Sequence, residues 1–312
     1  MRPIRYRILL LGALAGGCSA SPSRAPVSYQ PPTALAAAGI VPAQEWDSIA
    51  EPRTVGWTRP GLDSARARLA PLATTGFMAV VGGRVLMSYG DVQAVSYLAS
   101  VRKSVLSLLM GNYVRRGVIN LNTSLAQLGM DDIGGLTDQE NEATVQDLLT
   151  ARSGVYHPAS NAGDDLASAP PRGSQKHGTY MLYSNWDFNA LGGAFERITG
   201  RDIYADWVDE STRAFTPVGE MNPPRRREGP FGYGYLWWVW DGPHASGRYR
   251  GAYTGLGAVG QQITVIPALD LVVVHKTRPG QRDADGRSRS VSHGQFLDVL
   301  DLLVRSHCGE RC

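Results

Sequence analysis

The feature that most constrains the fold of this chain is the order of its hydrophobic patterns. Residues 76–81 and 84–89 are rich in β-forming side chains and are joined by Gly82-Gly83, which predicts a hairpin. Helical patterns follow. The remaining β-type segments come near the other end of the chain, at 232–240, 258–266 and 271–276. The order predicts an antiparallel sheet assembled from both ends of the chain.

The middle of the chain has a helical period. Residues 101–116 carry a stripe formed by Leu106, Leu109, Met110 and Tyr113, and Thr144 is placed to cap a short helix. Further helices are predicted at 186–198 and 293–304. The predicted fold class is therefore α+β, an antiparallel sheet flanked by helices. A helical subdomain, about 100–229, is inserted between the N- and C-terminal strands, and a cleft between the lobes is the natural place for a site.

The N-terminal 18 residues have the arrangement of a secretory signal: three Arg, an apolar stretch, and Gly16-Gly17-Cys18. We expect export with lipidation of Cys18, in the periplasm or on the outer membrane of a bacterium, the alternative being an ordinary signal peptide cut nearby. Residues 19–45 are rich in Ser, Pro and Ala and predict a flexible tether. The folded domain is expected over 46–312, with Cys308 and Cys312 left as a candidate terminal disulfide pair.

Composition excludes several function classes. The chain of 312 residues is 43% hydrophobic and 19% charged, as in ordinary globular proteins, and its net charge of +3 is mild. The one dense basic run, 225–227, sits among prolines and glycines, so nucleic-acid binding is not expected. The six His residues show no metal-ligand spacing, and no metal is predicted.

Ser100 and Lys103 form the strongest catalytic candidate, because they place a hydroxyl nucleophile and an amine base one helical turn apart. Only three of the 31 basic residues are Lys, so a Lys at this position is notable. Arg cannot lose its proton in a protein, whereas a desolvated Lys can. The alternative is a helix-capping Ser beside a solvated Lys.

Tyr183 and Asn185 are the second candidate pair, just before the helix predicted at 186–198. The phenol of Tyr183 is suited to carry a proton between nucleophile and leaving group, and Asn185 to hold Lys103 and the substrate carbonyl. The alternative is a core Tyr beside an Asn at a helix start.

Taken together, these motifs resemble the serine β-lactamase and penicillin-binding-protein superfamily, with the stretches 147–154 and 232–238 adding to the resemblance over about 75–305. The branch that looks most similar is the class C β-lactamase-related hydrolases, which include family VIII carboxylesterases and 6-aminohexanoate-dimer hydrolases. The resemblance implies a β-lactamase/transpeptidase-like fold and an acyl-enzyme mechanism without a cofactor. The chain contains no Gly-x-Ser-x-Gly motif. Its absence argues against an α/β-hydrolase with the same activity.

The third motif of the family, Lys-Thr-Gly or His-Thr-Gly, is altered in this chain. When the motif is aligned on 257–261, the resemblance implies substrate contacts at Gly257 and Gly260. It also implies an oxyanion hole formed by the Ser100 and Ala258 N–H groups. In this register Gly255 stands where the family has its cationic residue. A second register on 253–255 puts Tyr253 there. Both registers lack the cationic residue that helps to hold a substrate carboxylate in the family. This absence favours neutral substrates. Relatives also have more residues between 202 and 211, so the cleft is expected to be open or the fold impaired.

The sequence therefore predicts an exported serine hydrolase that cleaves a small or oligomeric ester or amide, with Ser100, Lys103, Tyr183 and Asn185 as its catalytic residues. A β-lactamase or D-Ala-D-Ala carboxypeptidase is the first alternative. A noncatalytic surface binding protein with the same fold is the second. The only membrane contact expected is the lipid anchor.

Overall fold

The computed structural model describes residues 40, 42, 45–159, 166–203, 231–241 and 245–309. Within these ranges the chain forms a seven-stranded sheet in the order β2-β1-β7-β6-β5-β4-β3, in which every neighbouring pair is antiparallel. The strands are β1 (Gly76–Val81), β2 (Arg84–Gly90), β3 (Phe231–Gly234), β4 (Trp237–Trp240), β5 (Tyr253–Gly257), β6 (Gln261–Ile266) and β7 (Leu271–Lys276). The predicted α+β class and the antiparallel sheet from both chain ends are confirmed.

Helices flank this sheet and supply two hydrophobic cores. The described α-helices are α1 (Arg59–Leu69), α2 (Val101–Arg115), α3 (Asp138–Asn141), α4 (Val145–Leu149), α5 (Asn185–Thr199) and α6 (His293–Arg305). One core joins α1 and α6 to β1 and β7, with Leu69, Phe77 and Leu300 almost fully buried. The other joins α2, α4 and α5, and includes Leu109 and Phe195. This second core also includes Tyr233 and Leu236, so the helices pack against residues in and next to the sheet.

Local signals account for the ends of several elements. Gly82 and Gly83 have φ angles of 56° and 76°, so they supply the left-handed backbone that a tight β1–β2 turn needs. Thr144 and Asp147 form a reciprocal capping box at the start of α4. Ser184 caps α5 by accepting a hydrogen bond from the Trp186 N–H.

Two sequence predictions about elements were wrong in detail, and further elements were not predicted. Residues 232–240 form not one strand but the β3–β4 hairpin, which turns at Tyr235 and Leu236. Residues 258–260 form a 3-10 turn, so β6 begins only at Gln261. Strand β5 and helix α1 were not predicted at all, because the first contains two glycines and the second begins with Arg-Pro-Gly and carries only a sparse apolar stripe.

Several sequence predictions lie outside the described residues. These are the signal and Cys18, nearly all of the tether, the basic run 225–227, and most of the shortened region between 202 and 211. Cys308 is disulfide-bonded. Cys312 is not among the described residues, so the proposed Cys308–Cys312 pair stays a prediction.

Candidate active site

Lys103 is the hub of the candidate site. Its Nζ lies 3.3 Å from Ser100 Oγ, 3.0 Å from Tyr183 OH and 2.6 Å from Asn185 Oδ1. The structure therefore brings all four predicted catalytic residues into one hydrogen-bonded group, although the two pairs are at least 80 residues apart in sequence. A nucleophile, an amine and a phenol within reach of one another can pass a proton along a short path.

Two helix starts position these four side chains. Ser100 precedes α2, and Lys103 follows one turn later, with its N–H donating to Ser100 O at 3.0 Å. Asn185 is the first residue of α5. Tyr183 is held just ahead of that helix because the Leu182 N–H donates to Ala151 O at 3.0 Å. The geometry of the candidate site thus depends on how the starts of α2 and α5 face each other.

Aromatic rings contact both Tyr183 and Lys103. The Tyr183 ring stacks on Trp238 with centroids 5.7 Å apart, and contacts the Phe188 ring edge-on at 4.9 Å. Lys103 Nζ lies 4.5 Å from the Tyr183 ring centroid and 4.4 Å from that of Phe188. Burial raises the pKa of Tyr183, and a hydrogen bond with Ser100 only partly offsets this. The phenol is therefore protonated at neutral pH and available as a proton donor.

The end of β5 passes next to the start of α2. A Cβ added to Gly257 would lie 2.7 Å from Leu98 O and 3.1 Å from Ala99 Cβ, directly before Ser100. One turn further along α2, a Cβ on Gly255 would lie 2.8 Å from Ser104 Oγ. Only glycine permits this close approach, which brings the backbone at Gly257 and Ala258 to the nucleophile's end of the helix.

Gly257 and Gly260, the predicted substrate contacts, line the same cavity. Both border a cavity of about 260 Å³ whose other lining residues are Leu256, Val259, Gln262, Ser290, Val291, Ser292 and His293. Gly260 O accepts a 2.6 Å hydrogen bond from His275 Nδ1, which anchors the turn after Ala258. A larger cavity, of about 650 Å³, is lined by residues such as Ser124 and Glu142. The four residues of the hydrogen-bonded group line neither cavity.

The structure shows what occupies the position of the missing cation in each register. Gly255 packs against α2, and Tyr253 packs its ring against Trp237 with centroids 4.9 Å apart. Thr254 lies in the sheet interior, where its Oγ1 accepts from Trp240 Nε1 at 3.0 Å. In both registers the side chain at the cation position is uncharged.

A buried carboxyl group next to the site was missed by the sequence analysis. Asp187 Oδ1 accepts a 2.6 Å hydrogen bond from Ser153 Oγ, and its Oδ2 accepts from Ser153 N at 3.3 Å. Burial raises the pKa of Asp187 to about 8. In sequence, an acidic residue in the first turn of a helix favours an ordinary dipole contact, so only the tertiary environment reveals this group.

Two properties of the described residues bear on other functions. No group of three or more His, Cys, Asp or Glu side chains there is arranged to hold a metal ion. Among the helices in the same part of the chain, none is long and apolar enough to cross a membrane.

Several known proteins are similar to this chain. The β-lactamase family model matches residues 72–212. A β-lactamase from Mycobacterium bovis has 19% sequence identity over 78% of this chain and 100% of its own, with a TM-score of 0.55. A Bacillus anthracis protein described as a 6-aminohexanoate-dimer hydrolase has 16% identity, 85% and 87% coverage, and a TM-score of 0.51.

A third solved structure is that of EstCE1, described as a hydrolase with promiscuous acyltransferase activity. The two sequences are 12% identical, the match covers 78% of this chain and 98% of the EstCE1 chain, and the TM-score is 0.53. No curated protein sequence matches the chain. At these identities the structural likeness establishes the shared fold.

Proposed function

We propose that this chain, a member of the serine β-lactamase-like superfamily, is a serine hydrolase that cleaves a neutral ester or amide through an acyl-enzyme on Ser100. The observation that carries the proposal is the group around Lys103, whose Nζ contacts Ser100 Oγ, Tyr183 OH and Asn185 Oδ1 together. If Ser100 were only a helix cap and Lys103 only a solvated side chain, these three contacts of Lys103 would not be expected.

In the acylation step, Lys103 takes the proton from Ser100 Oγ as the oxygen attacks the substrate carbonyl carbon. The negative charge that develops on the carbonyl oxygen is stabilised by the Ser100 and Ala258 N–H groups and by the positive end of α2. Tyr183 donates its proton to the leaving group and is reprotonated by the Lys103 ammonium. The C–O or C–N bond of the substrate breaks, leaving an acyl ester on Ser100.

Deacylation reverses this proton path. Tyr183 and Lys103 together accept a proton from water, whose oxygen attacks the acyl carbon, and Ser100 Oγ leaves with a proton returned by Lys103. Asn185 holds the amine in position through its Oδ1. The raised pKa of Tyr183 supports this role, because the phenol must hold a proton at the start of the cycle.

The uncharged third motif supports a neutral substrate. β-Lactams and peptidoglycan stems carry a carboxylate that a cation would help to hold, and here Gly255 or Tyr253 stands at that position. The similar structures include a β-lactamase, so β-lactam hydrolysis is the alternative activity. Time-dependent acylation of Ser100 by penicillin would support that alternative.

The location of the enzyme is also a proposal. The signal-like N-terminus and Cys18 support export and a lipid anchor on the bacterial envelope. Mass spectrometry of the N-terminal peptide from wild type and from Cys18→Ala would test this. Acyl chains on Cys18 are expected in the wild type only, and an unmodified Cys18 in the processed protein contradicts it.

A fluorophosphonate probe and p-nitrophenyl butyrate test the chemistry. We expect the wild type to label at Ser100 and to hydrolyse the ester. Ser100→Ala should do neither, and Lys103→Arg should lower kcat about 10²- to 10⁴-fold, because Arg cannot accept a proton. Lys176→Arg is the matched control for the Lys substitution, and circular dichroism checks that each variant folds. A folded wild type that neither labels nor turns over would favour a noncatalytic binding protein.

A further inference from the structure

Three large apolar side chains lie exposed just before the nucleophile. Val95, Tyr97 and Leu98 are 102%, 56% and 45% exposed. We call these three residues the apolar rim. They belong to the segment 92–98, which contains no charged residue. Exposed apolar side chains close in sequence to a reactive group are candidates for contact with an apolar ligand.

The segment that carries the apolar rim is held in place at its N-terminal side. Asp91 Oδ1 accepts hydrogen bonds from Gln93 N at 3.1 Å and Ala94 N at 2.9 Å. Lys276 Nζ donates to Val92 O at 3.0 Å and also to Ala94 O. This ammonium is thus directed at backbone carbonyls.

The local structure of β1 makes room for that lysine. Gly76 lies opposite Lys276 in the β1–β7 register, and a Cβ on Gly76 would lie 2.6 Å from Lys276 Cε. At the other end of the segment, Leu98 O accepts from Val101 N at 3.2 Å and lies against Gly257. Both ends are therefore fixed, and the exposed side chains sit on a positioned backbone.

Two residues of the apolar rim, Tyr97 and Leu98, are within reach of an acyl group attached to Ser100. Successive Cα atoms are about 3.8 Å apart, so the Leu98 and Tyr97 Cα atoms lie at most about 8 Å and about 11 Å from that of Ser100. A straight acyl chain of four to eight carbons extends over roughly the same distance. In the acyl-enzyme this chain is attached to Ser100 Oγ. The acyl part of the substrate is therefore the ligand that would lie next to the exposed side chains.

We propose that the apolar rim binds the acyl chain of the substrate, so that the enzyme prefers neutral esters of medium-length aliphatic acids over acetate esters. This inference rests on the proposed function. Contact with the apolar rim removes methylene groups from water, and complete burial of one methylene favours binding about fourfold. The partly open surface here should give about two- to fourfold in kcat/KM per methylene.

A chain-length series tests the proposal. Acetate, butyrate, hexanoate and octanoate p-nitrophenyl esters are compared on wild type, Tyr97→Ser/Leu98→Ser and Val95→Ser. We expect the octanoate-to-acetate ratio of kcat/KM to fall at least about fivefold in the double variant. Val95→Ser, at a fully exposed position, carries little risk to folding and should show a smaller decrease.

Val118→Ser is the matched control, because Val118 is also 45% exposed but follows the far end of α2. It should keep the wild-type ratio. An unchanged ratio in the folded rim variants would overturn the inference while the hydrolase stands. Light scattering that shows a dimer in wild type and monomers in the rim variants would instead assign the surface to self-association. A wild type that neither labels nor hydrolyses any ester contradicts the proposed function itself.

Discussion

At the scale of single residues, the most unusual group near the site is the Asp187 carboxyl. It is buried next to Ser153, and the nearby Asp147 charge also disfavours its ionisation. Burial raises the pKa of the neighbouring Tyr156 to about 12, and that of Tyr233 well above its usual value. A carboxyl group kept neutral in such surroundings avoids the cost of a buried charge.

This environment predicts how stability depends on pH. The pKa of Asp187 is about 8 in the folded state and near 3.9 when unfolded, so the folded state holds the extra proton between these values. The contribution of this proton to the free energy of unfolding is complete below about pH 4 and is lost as the pH rises through about 8. The Asp187→Asn variant has a side chain of the same shape that does not ionise.

Melting temperatures from pH 5 to pH 9 check this prediction. Wild type should lose more stability across the range than Asp187→Asn does. The exposed Asp63→Asn serves as the control and should follow the wild type. Parallel curves for wild type and Asp187→Asn would show that Asp187 is ionised throughout.

At the scale of elements, unusual backbone conformations gather around the site. Six described non-glycine residues have positive φ, and five of them flank catalytic or proposed oxyanion segments: Ala99, Ala151, Tyr235, Leu236 and Val259. Ala99 precedes Ser100, and Ala151 O holds the residue before Tyr183. The turn at Leu236 is tied to α2, because Leu236 O accepts from Ser104 Oγ at 2.7 Å. Such conformations persist only where surrounding contacts enforce them.

The contact between β5 and α2 leads to a second prediction. Gly257→Ala should displace Leu98 and Ala99, because its Cβ would lie 2.7 Å from Leu98 O. A shift of Ser100 by a fraction of an ångström to 1 Å would lower kcat by up to about 10²-fold. Esterase kinetics with p-nitrophenyl butyrate measure this effect.

Gly192→Ala is the control for that substitution. Gly192 lies inside α5, and an added Cβ there meets nothing within 4 Å. It should raise the free energy of unfolding by about 1 kcal/mol through helix propensity and leave kcat near wild type. If Gly257→Ala folds and retains wild-type kcat, β5 does not position the nucleophile.

At the scale of the whole molecule, the first and last helices close one face of the sheet. Helix α1 comes before the first strand and α6 after the last, and they pack on each other and on β1 and β7. The sheet itself joins β1 to β7, whose residues are almost 200 positions apart. The fold is therefore complete only when the C-terminal helix has docked.

Leu300→Ala tests this closure. Leu300 is 0% exposed in the α1–α6 core, and the cavity left by the substitution should lower the free energy of unfolding by about 2–5 kcal/mol. Urea denaturation followed by circular dichroism measures the change. The exposed Val118→Ala should stay within about 0.5 kcal/mol of wild type. A wild-type midpoint for Leu300→Ala would mean that α6 contributes little to the core.

Local sequence alone determined the features that depend on short spacing. Ser100 and Lys103 share a helical face because they are three residues apart, Gly82-Gly83 sets a tight turn, and the capped starts of α4 and α5 follow from Thr144 and Ser184. The order of the hydrophobic patterns also predicted the antiparallel sheet correctly.

Only the tertiary structure decided the rest, because it depends on contacts between distant segments. Tyr183 meets Lys103 across 80 residues, and nothing in either local pattern sets that distance. Strand β5 forms despite Gly255 and Gly257 because it pairs with β4 and β6, and the two glycines let its backbone approach α2 closely. The carboxyl of Asp187 is unusual only because folding buries it against Ser153. Burial and long-range packing are properties of the folded chain, and they turn ordinary residues into a site.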